Sequence, residues 1–143
     1  GIAVTPTLRQ VELFRDFAAQ AGEKYPVYAA TMQRMYDTRW DHFQMLVDSG
    51  VLLLMGTDSG GYQDHGTIAG ELELWLRWGA PAQATIDAAT WVSQHYLGYP
   101  GLVEGGPADF LILDEDPRSN PLELSRPARV ILDGGSVWER PSA

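Results

Sequence analysis

The sequence predicts an α/β fold, in which a helix-rich body with buried parallel strands precedes a small β appendage. Residues 51–55 (VLLLM) form a short and wholly apolar run, which is typical of a strand buried on both faces of a parallel sheet. The stretches on either side of this run carry apolar residues at helical spacing. From Gly98 onward the chain becomes rich in Gly and Pro and its apolar runs become short, which favours strands and turns.

The first half of the body is predicted as strand, helix, helix, strand. Residues 2–4 (IAV) can form a short strand, and Thr7 with Gln10 has the spacing of a capping box at the start of a helix. A second helix is expected over residues 31–49, directly before the strand at 51–55. The predicted buried faces of the two helices are Leu8, Val11, Phe14, Ala18 and Ala21 in the first, and Met32, Met35, Tyr36, Trp40, Phe43 and Val47 in the second.

The second half is predicted to be helical as far as residue 97 and mostly β beyond it. A third helix is expected over residues 67–78, and a further helical segment begins at Pro81 and contains a break near Thr90. The later strands are predicted at 109–113, 128–132 and 136–138, the last two joined by a turn at 133–135. The body then has only two parallel strands, which leave unpaired edges. We therefore expect this chain to pair with the remainder of a larger fold, with a partner chain or with itself.

The composition excludes several classes of protein. A net charge of −9 argues against nucleic acid and anionic membranes as partners, because both require basic patches. The absence of cysteine excludes disulfide scaffolds and thiolate metal sites. No apolar stretch approaches the roughly 20 residues of a membrane span, and the first residues lack the pattern of a secretory signal. A cytoplasmic location is the resulting expectation.

Five motifs follow one another around and after the buried strand. They are GTDSG at 56–60 with HG at 65–66, ELELWLRWGAP at 71–81, AAT at 88–90, LG at 97–98, and GLVEGGPADFLILDEDP at 101–117. Each motif is weak alone, but five in this order and spacing are specific. The chain resembles the C-terminal part of the amidohydrolase superfamily, in particular its imidazolonepropionase-like and prolidase-like branch.

The resemblance implies a metal-dependent hydrolase built on a (β/α)8 barrel of the TIM type. Residues 1–97 would supply the last two β/α units of an incomplete barrel, and residues 98–143 would supply strands of a C-terminal β-sandwich. The implied reaction is hydrolysis of an amide or cyclic amide bond in a dipeptide-like or small heterocyclic substrate.

Within this resemblance, Asp58 is the implied catalytic residue and metal ligand, because it follows strand eight of the barrel. It would bind a divalent metal, expected to be zinc as one or two ions, and would move a proton from the activated water to the leaving amine. His65 lies in the same loop, where it either contacts substrate or is a solvated loop residue. Taken by itself, the turn also fits an aspartate that caps the backbone N–H groups after it.

Most of the metal ligands of the family are missing from this sequence. The expected His-x-His pair of the first strand does not occur, Lys24 lies in a polar stretch without a strand pattern, and His42 and His95 lie in predicted helices. A full barrel takes about 250 residues. The metal site is therefore expected to be incomplete in this chain, and the isolated chain is expected to be inactive or to act as a non-catalytic module.

Two other enzyme classes share short motifs with the turn. Asp58-Ser59-Gly60 matches the signature of aspartic proteases, but those are almost wholly β and the helical periodicity here argues against them. Asp58 and Gly61 match the magnesium-side motif of nucleotide triphosphatases, but no G-x-x-x-x-G-K-[ST] loop accompanies them. Glu71 and Glu73 suit the dipole at a helix start, and Trp75 with Trp78 is expected to serve packing.

Overall fold

The computed structural model describes residues 2–141, which form two compact units. The N-terminal unit comprises residues 2–80 and the C-terminal unit residues 81–141. The first contains a parallel strand pair among helices and the second contains an antiparallel sheet. The predicted α/β class with a β appendage is confirmed, while the assignment of residues 1–97 to a barrel and 98–143 to a sandwich stays a prediction.

The strands of the N-terminal unit are β1 (Ala3–Val4) and β2 (Leu52–Leu53), which pair in parallel with Ala3 opposite Leu52. Both fall inside the predicted strands. The backbone N–H of Leu54 donates to the carbonyl oxygen of Val4 at 2.9 Å, so the ladder continues one residue past β2. Burial on both faces was expected, but Leu52 is 45% exposed. This expectation is wrong for Leu52 because two strands have too few neighbours to cover both faces of a sheet.

The helices of this unit are shorter than predicted and more numerous. They are α1 (Leu8–Glu12), α2 (Phe14–Ala21), α3 (Pro26–Asp37), α4 (Arg39–Ser49) and α5 (Ile68–Arg77), with a 3-10 turn at Gly22–Lys24. The second predicted helix begins five residues earlier, because Pro26 has a φ suited to the first helical position. It is also interrupted at Thr38, whose backbone departs from helical values with φ of −98° and ψ of 7°.

Aromatic side chains form the centre of the N-terminal core. Phe43 and Trp75 are each 1% exposed, and their ring centroids lie 5.3 Å apart in an edge-on arrangement. Trp78 is also buried, with its ring centroid 6.1 Å from that of Phe43. The packing role predicted for the two tryptophans is confirmed. Trp40, predicted on the buried face of the second helix, is 53% exposed, so its predicted burial is wrong.

The C-terminal unit contains two short helices and a three-stranded sheet in the order β3-β4-β5. Its elements are α6 (Ala82–Ala89), α7 (Trp91–Tyr96), β3 (Phe110–Ile112), a 3-10 turn at Pro121–Ser125, β4 (Arg129–Leu132) and β5 (Gly135–Glu139). The predicted break at Thr90 is confirmed, and all three predicted strands are present. Asp133 and Gly134 connect β4 to β5 with φ values of 49° and 75°, as a type I′ hairpin requires. None of the described helices is long and apolar enough to cross a membrane.

Candidate functional site

The carboxyl ends of β1 and β2 lie at one edge of the strand pair, because the two strands run in parallel. Residues 5–7 follow β1 and residues 56–61 follow β2, so both loops begin at this edge. They also touch: a Cβ atom placed on Gly56 would lie 2.8 Å from Cγ2 of Thr5. Only glycine fits at residue 56 without a shift of its neighbour. The Gly-rich turn therefore packs closely against the loop after β1.

Asp58 lies in this turn and its side chain is exposed. Its backbone adopts the left-handed conformation with φ of 55°, which is uncommon outside glycine but tolerated by aspartate. In residues 2–141 its carboxylate accepts no hydrogen bond from a following amide, unlike Asp116, which accepts from the N–H of Arg118 at 2.9 Å. Within the described part of the chain, this exposed carboxylate is therefore available to an external group.

The hydroxyls beside Asp58 bond to one another and hold the turn. The Thr57 and Ser59 hydroxyl oxygens lie 2.7 Å apart, and the Ser59 hydroxyl lies 3.1 Å from that of Thr67. This short chain of hydroxyls links the turn to the residue before α5. Thr57 and Ser59 are half-buried, and Asp58 between them is exposed.

Gln63 joins the same turn to α1. Its side chain is buried, and its Nε2 donates to the carbonyl oxygen of Thr57 at 2.8 Å and to Oε1 of Gln10 at 3.0 Å. Its Oε1 accepts from Nε of Arg9 at 3.1 Å, and its backbone carbonyl accepts from the N–H of Gly60 at 3.0 Å. The loop that carries Asp58 is therefore tied to the first turn of α1 by one amide side chain.

His65 is exposed and its ring lies beside the Gly-rich turn. A Cβ atom placed on Gly60 would lie 3.2 Å from Cε1 of His65 and 3.5 Å from its Nε2. The structure thus brings the imidazole of His65 against residue 60, two residues after Asp58 in the same loop. The role of this histidine stays a prediction.

The capping of α1 differs from the prediction. Thr7 has a left-handed φ of 46° and forms no side-chain cap, so the predicted capping box with Gln10 is wrong. Instead the carboxylate of Glu71 accepts from the N–H of Leu8 at 2.7 Å with Oε1 and from the N–H of Arg9 at 2.8 Å with Oε2. A residue 63 positions away in sequence therefore supplies the cap, which no local pattern could indicate.

Glu71 lies in the first turn of α5, as predicted, and it is completely buried. Its Oε1 also accepts from Nε1 of Trp75 at 3.0 Å, so three donors converge on this carboxylate. Burial raises the pKa of the Glu71 carboxyl above its usual value, and the hydrogen bonds from Arg9, Leu8 and Trp75 oppose part of this rise.

The other polar residues singled out in the sequence lie in other elements. Lys24 lies in the 3-10 turn after α2, with its Nζ 5.1 Å from the ring centroid of Tyr25. His42 lies in α4 and His95 in α7, both exposed. Within residues 2–141, no group of three or more His, Asp and Glu side chains is placed to hold a metal ion. The role of Asp58 as a metal ligand stays a prediction.

A cavity of about 450 Å³ lies in the N-terminal unit beside α1 and α5. Its lining includes Arg9, Tyr62, Gln63, Glu73 and Arg77, but neither Asp58 nor His65. The cavity is a surface groove on the helix side of the loop. The predicted catalytic carboxylate does not face it.

Comparison with known proteins shows which proteins this chain is similar to. No protein-family model matches the chain. Uncharacterized proteins of Mycobacterium bovis and Mycobacterium tuberculosis are 39% identical to it over 134 residues, which is 94% of this chain and 36% of each of those proteins. The chain thus spans about a third of the length of the curated relatives it matches.

Three of the similar solved structures carry the names of hydrolases. The fold matches a Xaa-Pro dipeptidase crystallised with methionine in its active site, with a TM-score of 0.76 and 25% identity over 98% of this chain and 35% of that one. It matches the ochratoxinase of A. niger with a TM-score of 0.69 and 25% identity, over 95% of this chain and 32% of that one. An amidohydrolase at 22% identity and a TM-score of 0.66 shares the fold over 98% of this chain and 35% of its own.

These matches confirm the predicted resemblance. The chain is similar to about a third of an amidohydrolase-like protein, consistent with a C-terminal part.

Proposed function

We propose that this chain is the C-terminal segment of a metal-dependent amidohydrolase that hydrolyses an amide or cyclic amide bond in a dipeptide-like or small heterocyclic substrate. The observation that carries the proposal is the place of Asp58, which is exposed in a Gly-rich turn at the carboxyl end of a parallel strand. Ligands of barrel enzymes bind at this end of the strands. The names of the similar dipeptidase and ochratoxinase structures support the hydrolase class.

In this proposal β1 and β2 are the last two strands of a TIM barrel, and Asp58 is both a metal ligand and the general acid/base. A divalent ion, proposed to be zinc as one or two ions, would supply a water of lowered pKa at the site. The Asp58 carboxylate accepts a proton at one of its free oxygens and returns it to the nitrogen of the leaving amine. His65, beside Gly60 in the same loop, contacts the substrate. The remaining ligands come from polypeptide outside this chain.

The test uses the complete polypeptide in which this segment is encoded, purified with its metal and assayed on dipeptides and N-acyl amino acids. Asp58→Asn should lower kcat by roughly 10²- to 10⁴-fold, because the amide cannot carry the proton. Asp64→Asn is the matched control, since Asp64 is exposed in the same loop, and it should leave kcat unchanged. His65→Ala should raise KM more than it lowers kcat. Equal activities of the Asp58→Asn and Asp64→Asn proteins would refute the role of Asp58.

The 143-residue chain alone should not hydrolyse these substrates when zinc is added, since no group of three or more His, Asp and Glu side chains in its described part is placed to hold a metal ion. Metal-dependent turnover by this chain would show that the predicted inactivity is wrong.

A second proposal is that the chain acts as a non-catalytic module that associates with itself or with a partner chain. It is supported by the strand pair of the N-terminal unit: in the described residues β1 pairs only with β2, which leaves an open edge on each strand. Leu52 is 45% exposed on this pair. Open parallel edges favour pairing with another chain.

A further inference from the structure

Glu71 combines complete burial with hydrogen bonds to backbone groups of a different element. An ionised carboxylate is costly to bury unless donors surround it, and here two backbone amides and the Trp75 indole provide them. The two amides belong to Leu8 and Arg9, the first two residues of α1. The side chain thus fixes the position of α1 against α5, from which Glu71 itself projects.

Helix α1 depends on this contact, because it has five residues and its N-cap residue provides no side-chain bond. The N–H groups of the first turn of a helix have no partners within the helix. Glu71 accepts from two of them with one carboxylate, a charge-assisted arrangement stronger than a hydroxyl cap.

The first turn of α1 is in turn bonded to the loop that carries Asp58. The side chains of Arg9 and Gln10 both bond to the Gln63 side chain. The Nε2 of Gln63 also donates to the carbonyl oxygen of Thr57, directly before Asp58. A path of direct hydrogen bonds therefore runs from Glu71 through α1 and Gln63 to the residue preceding Asp58.

We propose that Glu71 is a positioning residue for Asp58. Through the first turn of α1 and the side chain of Gln63, Glu71 holds the loop that carries Asp58. This inference rests on the proposed function, because Asp58 is a catalytic residue only in that proposal. The path itself is a physical coupling that can be measured without substrate or metal. It predicts that a change at Glu71 loosens the turn at 57–60 more than it loosens the rest of the unit.

The experiment measures amide hydrogen exchange by NMR in the 143-residue chain and in four variants. Glu71→Gln keeps the shape but places an NH₂ group against one of the two backbone donors. Gln63→Met keeps the length of the side chain and removes its polar atoms, and the double variant combines both changes. Glu73→Gln is the matched control, because it makes the same substitution on an exposed side chain of the same helix.

Exchange at the N–H of Gly60 should become roughly tenfold faster in Glu71→Gln, as expected for the loss of one charge-assisted hydrogen bond. The N–H of Phe43, in the centre of α4, serves as the reference for general destabilisation and should change less. Gln63→Met should accelerate exchange at the N–H of Gly60 to the same extent, while the N–H groups of Leu8 and Arg9 stay protected from exchange. The double variant should be no faster at Gly60 than the faster single variant, because the two residues act along one path.

Equal acceleration at Gly60 and Phe43 in Glu71→Gln would reduce Glu71 to a stabilising residue and overturn the proposal. Additive effects in the double variant would also overturn it. If Glu71→Gln does not fold, Gln63→Met decides alone: an unchanged Gly60 N–H would refute the path. Because no readout involves catalysis, failure of the Asp58 activity test would leave these results intact, and failure here would leave the role of Asp58 open to its own test.

Discussion

Gly56 and Thr5 make the closest approach between the loops after β1 and β2. A methyl group on residue 56 would lie 2.8 Å from Cγ2 of Thr5, so Gly56→Ala should lower the free energy of unfolding by about 1–3 kcal/mol through overpacking. Adding Thr5→Ser, which removes Cγ2, should restore most of this loss. Gly61→Ala is the control, because a Cβ there meets nothing within 4 Å. Urea unfolding of the four proteins measures the effect, and equal stabilities of the two alanine variants would contradict it.

The pKa of Glu71 gives a pH dependence whose sign can be worked out. Burial raises this pKa in the folded state, so the folded protein holds the proton at a pH at which the unfolded chain has lost it. The contribution of Glu71 to stability is therefore full below the unfolded pKa and declines as the pH rises through the folded pKa. The free energy of unfolding of the wild type, minus that of Glu71→Gln, should fall over this range. A difference that rises with pH would refute the assignment.

Asp58 and Glu71 differ in how far their positions could be predicted from the sequence. Asp58 could be placed at the end of a strand because the apolar run and the Gly-rich turn are adjacent in sequence. The cap of α1 could not be found, because Glu71 lies 63 residues from Leu8 and is brought there only by tertiary packing. The pattern at Thr7 and Gln10 pointed to a local cap, and the left-handed backbone of Thr7 prevents it.

At the scale of elements, the hairpin between β4 and β5 is encoded locally. Gly134 has φ of 75°, so Gly134→Ala should cost about 1–2 kcal/mol, the penalty of a left-handed conformation for a residue with a Cβ. Gly135→Ala is the adjacent control, since a Cβ there makes an ordinary contact at 3.5 Å. Thermal unfolding followed by circular dichroism should rank the two variants in this order. A lower Tm for Gly135→Ala than for Gly134→Ala would contradict the turn type.

Helix limits were predicted less well than the hairpin, for a physical reason. Apolar spacing marks the face of a helix but does not report a single residue that interrupts it. Thr38, with φ of −98° and ψ of 7°, separates α3 from α4 within the predicted helix at 31–49, and Leu13 separates α1 from α2. Both residues are compatible with helices by propensity, so neither marked a break in advance.

At the scale of the whole molecule, two observations are consistent with the larger fold of the proposed enzyme. They are the strand pair of the N-terminal unit and the length of the relatives. Two parallel strands cannot bury both of their faces or satisfy both of their edges. The curated relatives at 39% identity are nearly three times as long as the matched part, and the similar hydrolases match over about a third of their chains. The open edges therefore lie where additional strands of a barrel would be expected in the proposed enzyme.

The open edges lead to a prediction for the purified 143-residue chain in the absence of any partner. It should self-associate with a concentration dependence visible in sedimentation velocity, because the edges of β1 and β2 and the exposed Leu52 offer backbone and apolar contacts to a second copy. Leu52→Lys should shift the equilibrium toward monomer by placing a charge at this edge. Leu132→Lys, which changes a comparably exposed leucine of the C-terminal unit, should leave association unchanged. A chain that stays monomeric at all concentrations and unfolds cooperatively would show that the strand pair needs no partner.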